Sequence, residues 1–252
     1  MRWGDSRPGA GVSHGGRVRG AVAALARVAR GTLRLVLRAA LAVLLLWAGL
    51  IVLYRWIDPP ATPLMIVRLF EHGRWWRTAV PLDRVSPHLV RAVLAAEDAR
   101  FCQHHGIDVE AVGDAMGEWR RGQGLRGAST ISMQTARNLF LWQGGGFVRK
   151  ALEAPLALAL DAAWPKRRTL EIYLGIAEWG EGVYGAEAAA RRHFGVSSAA
   201  LSPRQAAALA AILPSPRKWK ANPPGDYVAQ RIPTLLARME DMGAYMGCLK
   251  RG

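Results

Sequence analysis

Acidic side chains are scarce in this sequence: 19 Asp and Glu stand against 34 Lys and Arg in 252 residues, a formal net charge of +15. That balance favours an anionic partner, whether a phospholipid surface, nucleic acid or a phosphorylated substrate, and does not choose among them. Cysteine is scarcer still. Cys102 and Cys248 form no C-x-x-C pair and have no histidines at zinc-ligand spacing, which excludes a zinc ribbon and a dithiol redox motif. They read as two separate core thiols, with a disulfide as the alternative in an oxidising compartment. The absence of an internal repeat excludes a solenoid. The absence of sustained period-two alternation excludes a fold built mainly of strands.

One long apolar run is present. Ala39 to Tyr54 gives 16 uncharged residues, and including Leu35–Arg38 gives 20, about the length that crosses a hydrocarbon core. Arg34, Arg38 and Arg55 can extend their charged tips to head groups, and Trp56 suits the interface. A cleavable signal peptide is the rival reading. The run is long for one, and no A-x-A site follows before Arg55-Trp56-Ile57-Asp58-Pro59-Pro60, which favours an uncleaved anchor. Residues 1–38 hold eight arginines against the single Asp5, a net +7. The positive-inside rule then places the N-terminus in the cytoplasm and everything after residue 57 outside the inner membrane. That topology weighs against nucleic acid as a partner.

Beyond Pro59-Pro60 the pattern is mainly helical. Ser86-Pro87 is a helix start, a capping hydroxyl followed by proline at the first helical position. Leu89, Val90, Val93, Leu94 and Glu97 follow at helical spacing. Further helices are expected over 147–164, 167–178, 185–193, Pro203 to Leu213 and 226–246. The expectation is a mainly α domain behind one N-terminal transmembrane helix.

Two carboxylates sit oddly on this pattern. Glu97 ends an apolar stripe instead of facing solvent, and Glu153, 56 residues further on, precedes Leu156, Ala157 and Leu160 on an apolar face. Desolvation raises a carboxyl's pKa toward the range useful for proton abstraction, and paired carboxylates are common apparatus of glycosyl chemistry. Taken singly, Glu97 fits a structural ion pair at a helix end as well. Between the two lies Gly127-Ala128-Ser129-Thr130-Ile131-Ser132-Met133-Gln134-Thr135-Ala136-Arg137-Asn138, a helix entry whose free amides favour an anion. Arg149-Lys150 adds two cations just before Glu153. An anionic leaving group such as pyrophosphate fits the set, and so does an ordinary capped helix with solvated basic residues. His104 and His105 are adjacent, diverge on any regular backbone and have no third ligand at familiar spacing, so no metal ligand is assigned and His104 reads as a structural hydrogen-bonding residue.

At these residues the sequence resembles the peptidoglycan glycosyltransferases, particularly the monofunctional biosynthetic members of glycosyltransferase family 51, the transglycosylase domain of penicillin-binding proteins. E-D-x-x-F-x-x-H-x-G is complete as Glu97, Asp98, Phe101, His104 and Gly106; G-x-S-T-I-x-Q-Q-x-x-K-N spans Gly127 to Asn138; R-K-x-x-E is Arg149, Lys150 and Glu153. A fourth stretch runs from Tyr173-Leu174 through Gly180, Gly182, Tyr184-Gly185 and Ala188-Ala189. The resemblance implies a lysozyme-like helical domain over 62–249, behind a basic tail (1–34) and an anchor (35–56), in the periplasm of a single-pass inner-membrane protein. It implies polymerisation of lipid II into β-1,4-linked strands with release of undecaprenyl pyrophosphate. Glu97 would be the general base and Glu153 would position substrate or stabilise charge. Asp98, Ser129, Thr130, Gln134, Arg137, Asn138, Arg149 and Lys150 match substrate-binding positions. No tightly bound cofactor is implied, although magnesium or manganese can assist. Partners would be lipid II, the growing glycan strand, the membrane and, because no transpeptidase segment follows the match, separate transpeptidases or division proteins.

The sequence departs from the family pattern at Met133, Arg137, Gly145 and Gly175, where the family carries glutamine, lysine, often arginine and asparagine, and Pro155 sits two residues after Glu153, where it removes a helix hydrogen bond. Two alternatives follow: a catalytically weakened lipid II-binding scaffold, and a lysozyme-like glycan-cleaving enzyme, which would have no need of so many cations about its carboxylates.

Overall fold

The computed structural model describes residues 14–73, 75–122 and 127–250. The first 13 residues of the basic tail and the stretch 123–126, with Arg126, lie outside the described residues. The chain divides into two units, Met1–Leu50 and Ile51–Gly252. Helix α1 (His14–Tyr54) begins in the first. Its stretch Arg27–Tyr54, 28 residues with a mean hydropathy of 2.5, is long and apolar enough to cross a membrane.

The second unit carries α2 (Pro63–His72), β1 (Trp76–Arg77), α3 (Pro87–Glu97), α4 (Val109–Arg120), α5 (Ile131–Phe140), α6 (Gly146–Ala163), α7 (Lys166–Ile176), β2 (Glu178–Gly180), β3 (Val183–Tyr184), α8 (Ala186–Phe194), α9 (Pro203–Ile212) and α10 (Asp226–Asp241). Local chemistry sets the starts. Thr62, Ser86 and Ser202 each accept a first-turn backbone N–H, and each is followed by proline. Ser202 also forms a reciprocal capping box with Gln205. Helix α9 is apolar nearly all round, with Ala206 through Ile212 buried, and it packs between α3 and α10 as the centre of the core.

The end of α7 was not expected. Helix α7 ends at Ile176, because Glu178–Gly180 turns into a three-stranded sheet of order β1-β3-β2, parallel between β1 and β3 and antiparallel between β2 and β3. Strands of two or three residues are too short to leave an alternation in the sequence. Helix α6 runs through Pro155, so the proline removes a single N–H donor without ending the helix.

Gly106 explains why the loop after α3 can lie on α6. Its φ is +79°, and a Cβ there would fall 2.6 Å from the Ala157 carbonyl oxygen. Only glycine combines that conformation with so close an approach. On α4, Val109, Val112, Met116 and Trp119 recur at helical spacing and all are exposed.

The two cysteines are not separate thiols. Cys102, in the loop after α3, is bonded to Cys248 in the 3-10 turn Gly247–Leu249, with Cα atoms 5.5 Å apart. Tertiary packing brings together residues 146 positions apart, which no local pattern could have shown. Closing so long a loop restricts the unfolded chain, so Cys248→Ser is expected to lower stability by about 2–5 kcal/mol. Thermal unfolding of the oxidised protein and the variant checks this; equal melting temperatures would rule it out.

Candidate active site

Glu97 ends α3, where α5, α7 and α10 deliver groups to it. Gln134 on α5 donates its Nε2–H to Glu97 Oε2 at 2.8 Å. The fully buried Tyr173 on α7 donates its hydroxyl to Gln134 Oε1 at 3.2 Å. This bond fixes which way the amide points, so Gln134 presents a donor to the carboxylate. Burial raises the Glu97 pKa, opposed by the Gln134 hydrogen bond and by attraction to Arg231 and Arg137. Burial, with the Glu97 charge adding to it, drives the Tyr173 pKa well above its ordinary value, so the phenol stays a donor.

Asp98 and Thr130 hold this corner together from inside. Asp98 is buried and its two oxygens lie 2.9 and 3.1 Å from His104 Nε2, while Oδ2 also accepts the Ile131 N–H at 2.9 Å. Thr130 caps α5 by accepting the Met133 N–H, and donates its hydroxyl to the Gly106 carbonyl at 2.6 Å. Both were expected to meet substrate; the structure gives them internal partners that join the first two motifs. His104 is the hydrogen-bonding residue its position suggested. Lys166 supports the same loop, with Nζ 2.6 Å from the His104 carbonyl and 4.7 Å from the Phe101 ring centre.

The second carboxylate lies beyond α5. Glu153, 1% exposed, is hydrogen-bonded by Arg149 one turn earlier and has Lys150 Nζ 3.6 Å away. Lys150 also donates to Ser129 at the entry of α5. Arg137 stands electrostatically between the two groups: it attracts Glu97, and it disfavours protonation of both Arg149 and Lys150. Burial is the larger cause of the lowered pKa of Arg149, Lys150 and Arg137 itself. Arg149 and Lys150 flank Glu153, and Arg137 adds a third positive charge felt by both of them and by Glu97. Three cations thus stand against two carboxylates, an excess suited to an anion. Asn138 is buried on the same helix as Arg137.

The departures can now be placed. Met133 is buried, 4% exposed, so the missing glutamine is absent from the core, not from the groups around Glu97. Gly145 opens α6 at φ +84°, and a Cβ there would lie 2.6 Å from the Trp142 indole nitrogen; the family's arginine here would strain the backbone and displace that indole. At Gly175 an added Cβ would meet open space. The role of Tyr173 was missed; its only signal was membership of the fourth stretch, which says nothing about a bond to Gln134. Among the described residues no group of three or more His, Cys, Asp or Glu could hold a metal ion.

A desolvated carboxylate beside a cation cluster, carried on a helical domain, is the equipment of group transfer from an anionic leaving group. The Transglycosylase family profile matches residues 65–240, and the chain belongs to that family. It is similar to proteins named biosynthetic peptidoglycan transglycosylase: 52% identical to that of Rhodospirillum centenum over 200 residues, covering 77% of this chain and 85% of the relative. The corresponding protein of Caulobacter vibrioides is 52% identical over 185 residues, covering 72% and 79%. That of Rhizobium meliloti is 48% identical over 213 residues, covering 83% and 89%.

Proposed function

We propose that this chain polymerises lipid II into β-1,4-linked glycan strands during cell-wall synthesis, with Glu97 as general base. The observation that carries the reading is the pairing of a desolvated, hydrogen-bonded Glu97 with the cluster Arg137, Arg149 and Lys150 across one helix. Glu97 takes the proton from the acceptor sugar's 4-hydroxyl as that oxygen attacks the anomeric carbon of the growing chain. The C–O bond to the lipid pyrophosphate breaks, the centre inverts, and the negative charge leaves on the pyrophosphate beside the cations. The proton then passes from Glu97 to solvent. Glu153 holds Arg149 and Lys150 in place. A glycan-cleaving enzyme acting on a neutral chain would have no use for these cations, and the core position of Met133 removes one support for an inactive scaffold.

Several finer statements belong to the same reading. The apolar helix anchors the chain in the inner membrane with its basic N-terminal flank in the cytoplasm and residues after 57 in the periplasm; the Cys102–Cys248 disulfide supports an oxidising side for the domain. The exposed apolar stripe of α4 suits contact with the lipid surface from which substrate comes. Transpeptidases or division proteins would act beside it. A divalent cation would arrive on the substrate's own pyrophosphate, and no step above runs through one.

The test is polymerisation of labelled lipid II by the purified full-length protein in detergent. The expected product is a ladder of long strands that lysozyme digests. Lipid II left unpolymerised by a folded protein would overturn the reading.

A further inference from the structure

A groove of about 530 Å³ lies between helix α6 and the loop that joins α3 to α4. Arg100, Asp108 and Glu110 line it together with the exposed apolar side chains Val109 and Leu158, and none of them serves the chemistry at Glu97. Arg100 donates to both oxygens of Asp108 at 2.9 Å and also to Glu110. One guanidinium therefore faces two carboxylates, and Glu110 keeps 79% of its side chain exposed. Asp161, close by on α6, is answered by Lys166 at 2.7 Å, with His105 3.4 Å away. On the groove wall His104 has Nε2 on Asp98 and an enclosed Nδ1 without a hydrogen-bond partner. With the ring proton facing the Asp98 carboxylate, Nδ1 is one more acceptor. In a chain of net charge +15, this groove carries surplus negative charge and more acceptors than donors, which suits a cation bearing N–H groups.

Position says which cation. Val109 begins the exposed apolar stripe of α4. A short chain of bonds also ties the groove to the end of the apolar helix. Lys166 Nζ holds the His104 carbonyl at 2.6 Å; two residues earlier the Trp164 indole donates to the Ile51 carbonyl at 2.7 Å; and Arg168 Nε donates to the Tyr54 carbonyl at 3.0 Å. Tyr54 is the last residue of the stretch able to cross a membrane. We propose that this groove binds a zwitterionic phospholipid whose headgroup ends in a primary ammonium, the phosphatidylethanolamine class. The ammonium donates to Glu110 and pairs with the surplus carboxylate charge. The phosphate lies against the exposed Gln103 amide and the N–H groups that Arg100 has to spare, and the acyl chains run along Val109 and the stripe of α4. A quaternary ammonium would bring the charge without N–H donors, and an anionic headgroup without an amine would meet the surplus negative charge.

The inference rests on the domain standing at a membrane surface, and the test separates the two. Flotation of the full-length protein with phosphatidylcholine vesicles checks the membrane reading alone, and a wild type that does not float strikes that reading. For the groove, the full-length protein in non-ionic detergent is mixed with equimolar dioleoyl phosphatidylethanolamine, phosphatidylcholine and phosphatidylglycerol. Native mass spectrometry then counts the lipids it retains. The expected result is one bound lipid, with phosphatidylethanolamine favoured by about tenfold or more over the other two, the effect of one charge-assisted hydrogen bond. Glu110→Lys reverses a charge on an exposed side chain, so it should keep the wild-type melting temperature and lose the preference. Glu110→Gln, which removes the charge alone, should lose most of it and decides the matter if the lysine variant does not fold. Equal retention of the three lipids, a preference for phosphatidylglycerol, or an unchanged preference in a folded Glu110 variant overturns the proposal. So does free phosphoethanolamine displacing the lipid at equal concentration, because the ligand would then be a soluble amine.

Discussion

Glu97→Gln is expected to cut the rate of lipid II polymerisation by about a hundredfold or more, the scale of general-base catalysis, without weakening the fold. Glutamine keeps the size of the side chain and an oxygen to accept the Gln134 hydrogen bond, while it cannot take a proton. Stability should separate from activity in a definite direction. The Glu97 pKa is raised in the folded protein, chiefly by burial, so folding is opposed by its ionisation once the pH exceeds the ordinary carboxylate value. That cost is complete above the raised value and absent below the ordinary one. The glutamine variant escapes it, so at neutral pH its melting temperature should equal or exceed that of wild type. Wild-type activity should also rise with pH through a limb placed above the usual carboxylate range. A variant within tenfold of wild-type rate, or one that melts well below it, would deny Glu97 this role.

The second large effect is expected at Lys150. Lys150→Met removes one of the three cations while preserving the aliphatic stem, and should lower kcat by about 10²–10³-fold, the scale of losing one preorganised charge at a leaving group. Lys150→Arg should recover only part, because a planar fork does not reproduce a compact ammonium near Ser129. Burial, then Arg137 and Arg149, lowers the Lys150 pKa. The cation must be protonated to act, so wild-type activity should decline at lower pH than a free lysine would dictate, and that alkaline limb should vanish in the methionine variant. Single-turnover rates on labelled lipid II resolve the point. A change confined to KM would assign Lys150 to ground-state binding instead.

What the sequence disclosed followed its physics. Ser86-Pro87 announced α3 because capping is local, and Glu97 and Glu153 stood out because carboxylates on apolar faces break a period. Ordered motifs gathered Gln134, Arg137, Arg149 and Lys150, and the structure brings these together. Depth was not legible: nothing local says that Asp98 and Thr130 turn inward or that Met133 sits in the core, since burial follows from how α5 packs on α6 and α7. Long-range pairings were equally hidden. The Tyr173–Gln134 bond, the approach of α10 to α3 and the Cys102–Cys248 link join positions from 39 to 146 residues apart.

That last link also bears on how the enzyme is made. With the proposed topology, in which the N-terminal tail stays in the cytoplasm and the domain follows the anchor outward, Cys102 emerges early, on the loop that follows Glu97. Its partner, 146 residues later, emerges only after every helix from α4 to α10 has crossed. A half-exported domain therefore cannot lock that loop by its native bond, and a transiently free Cys102 is open to mispairing with thiols of other proteins in transit. On that topology, assembly of the domain is coupled to completion of export, and the oxidising machinery of the receiving compartment becomes part of the enzyme's production line.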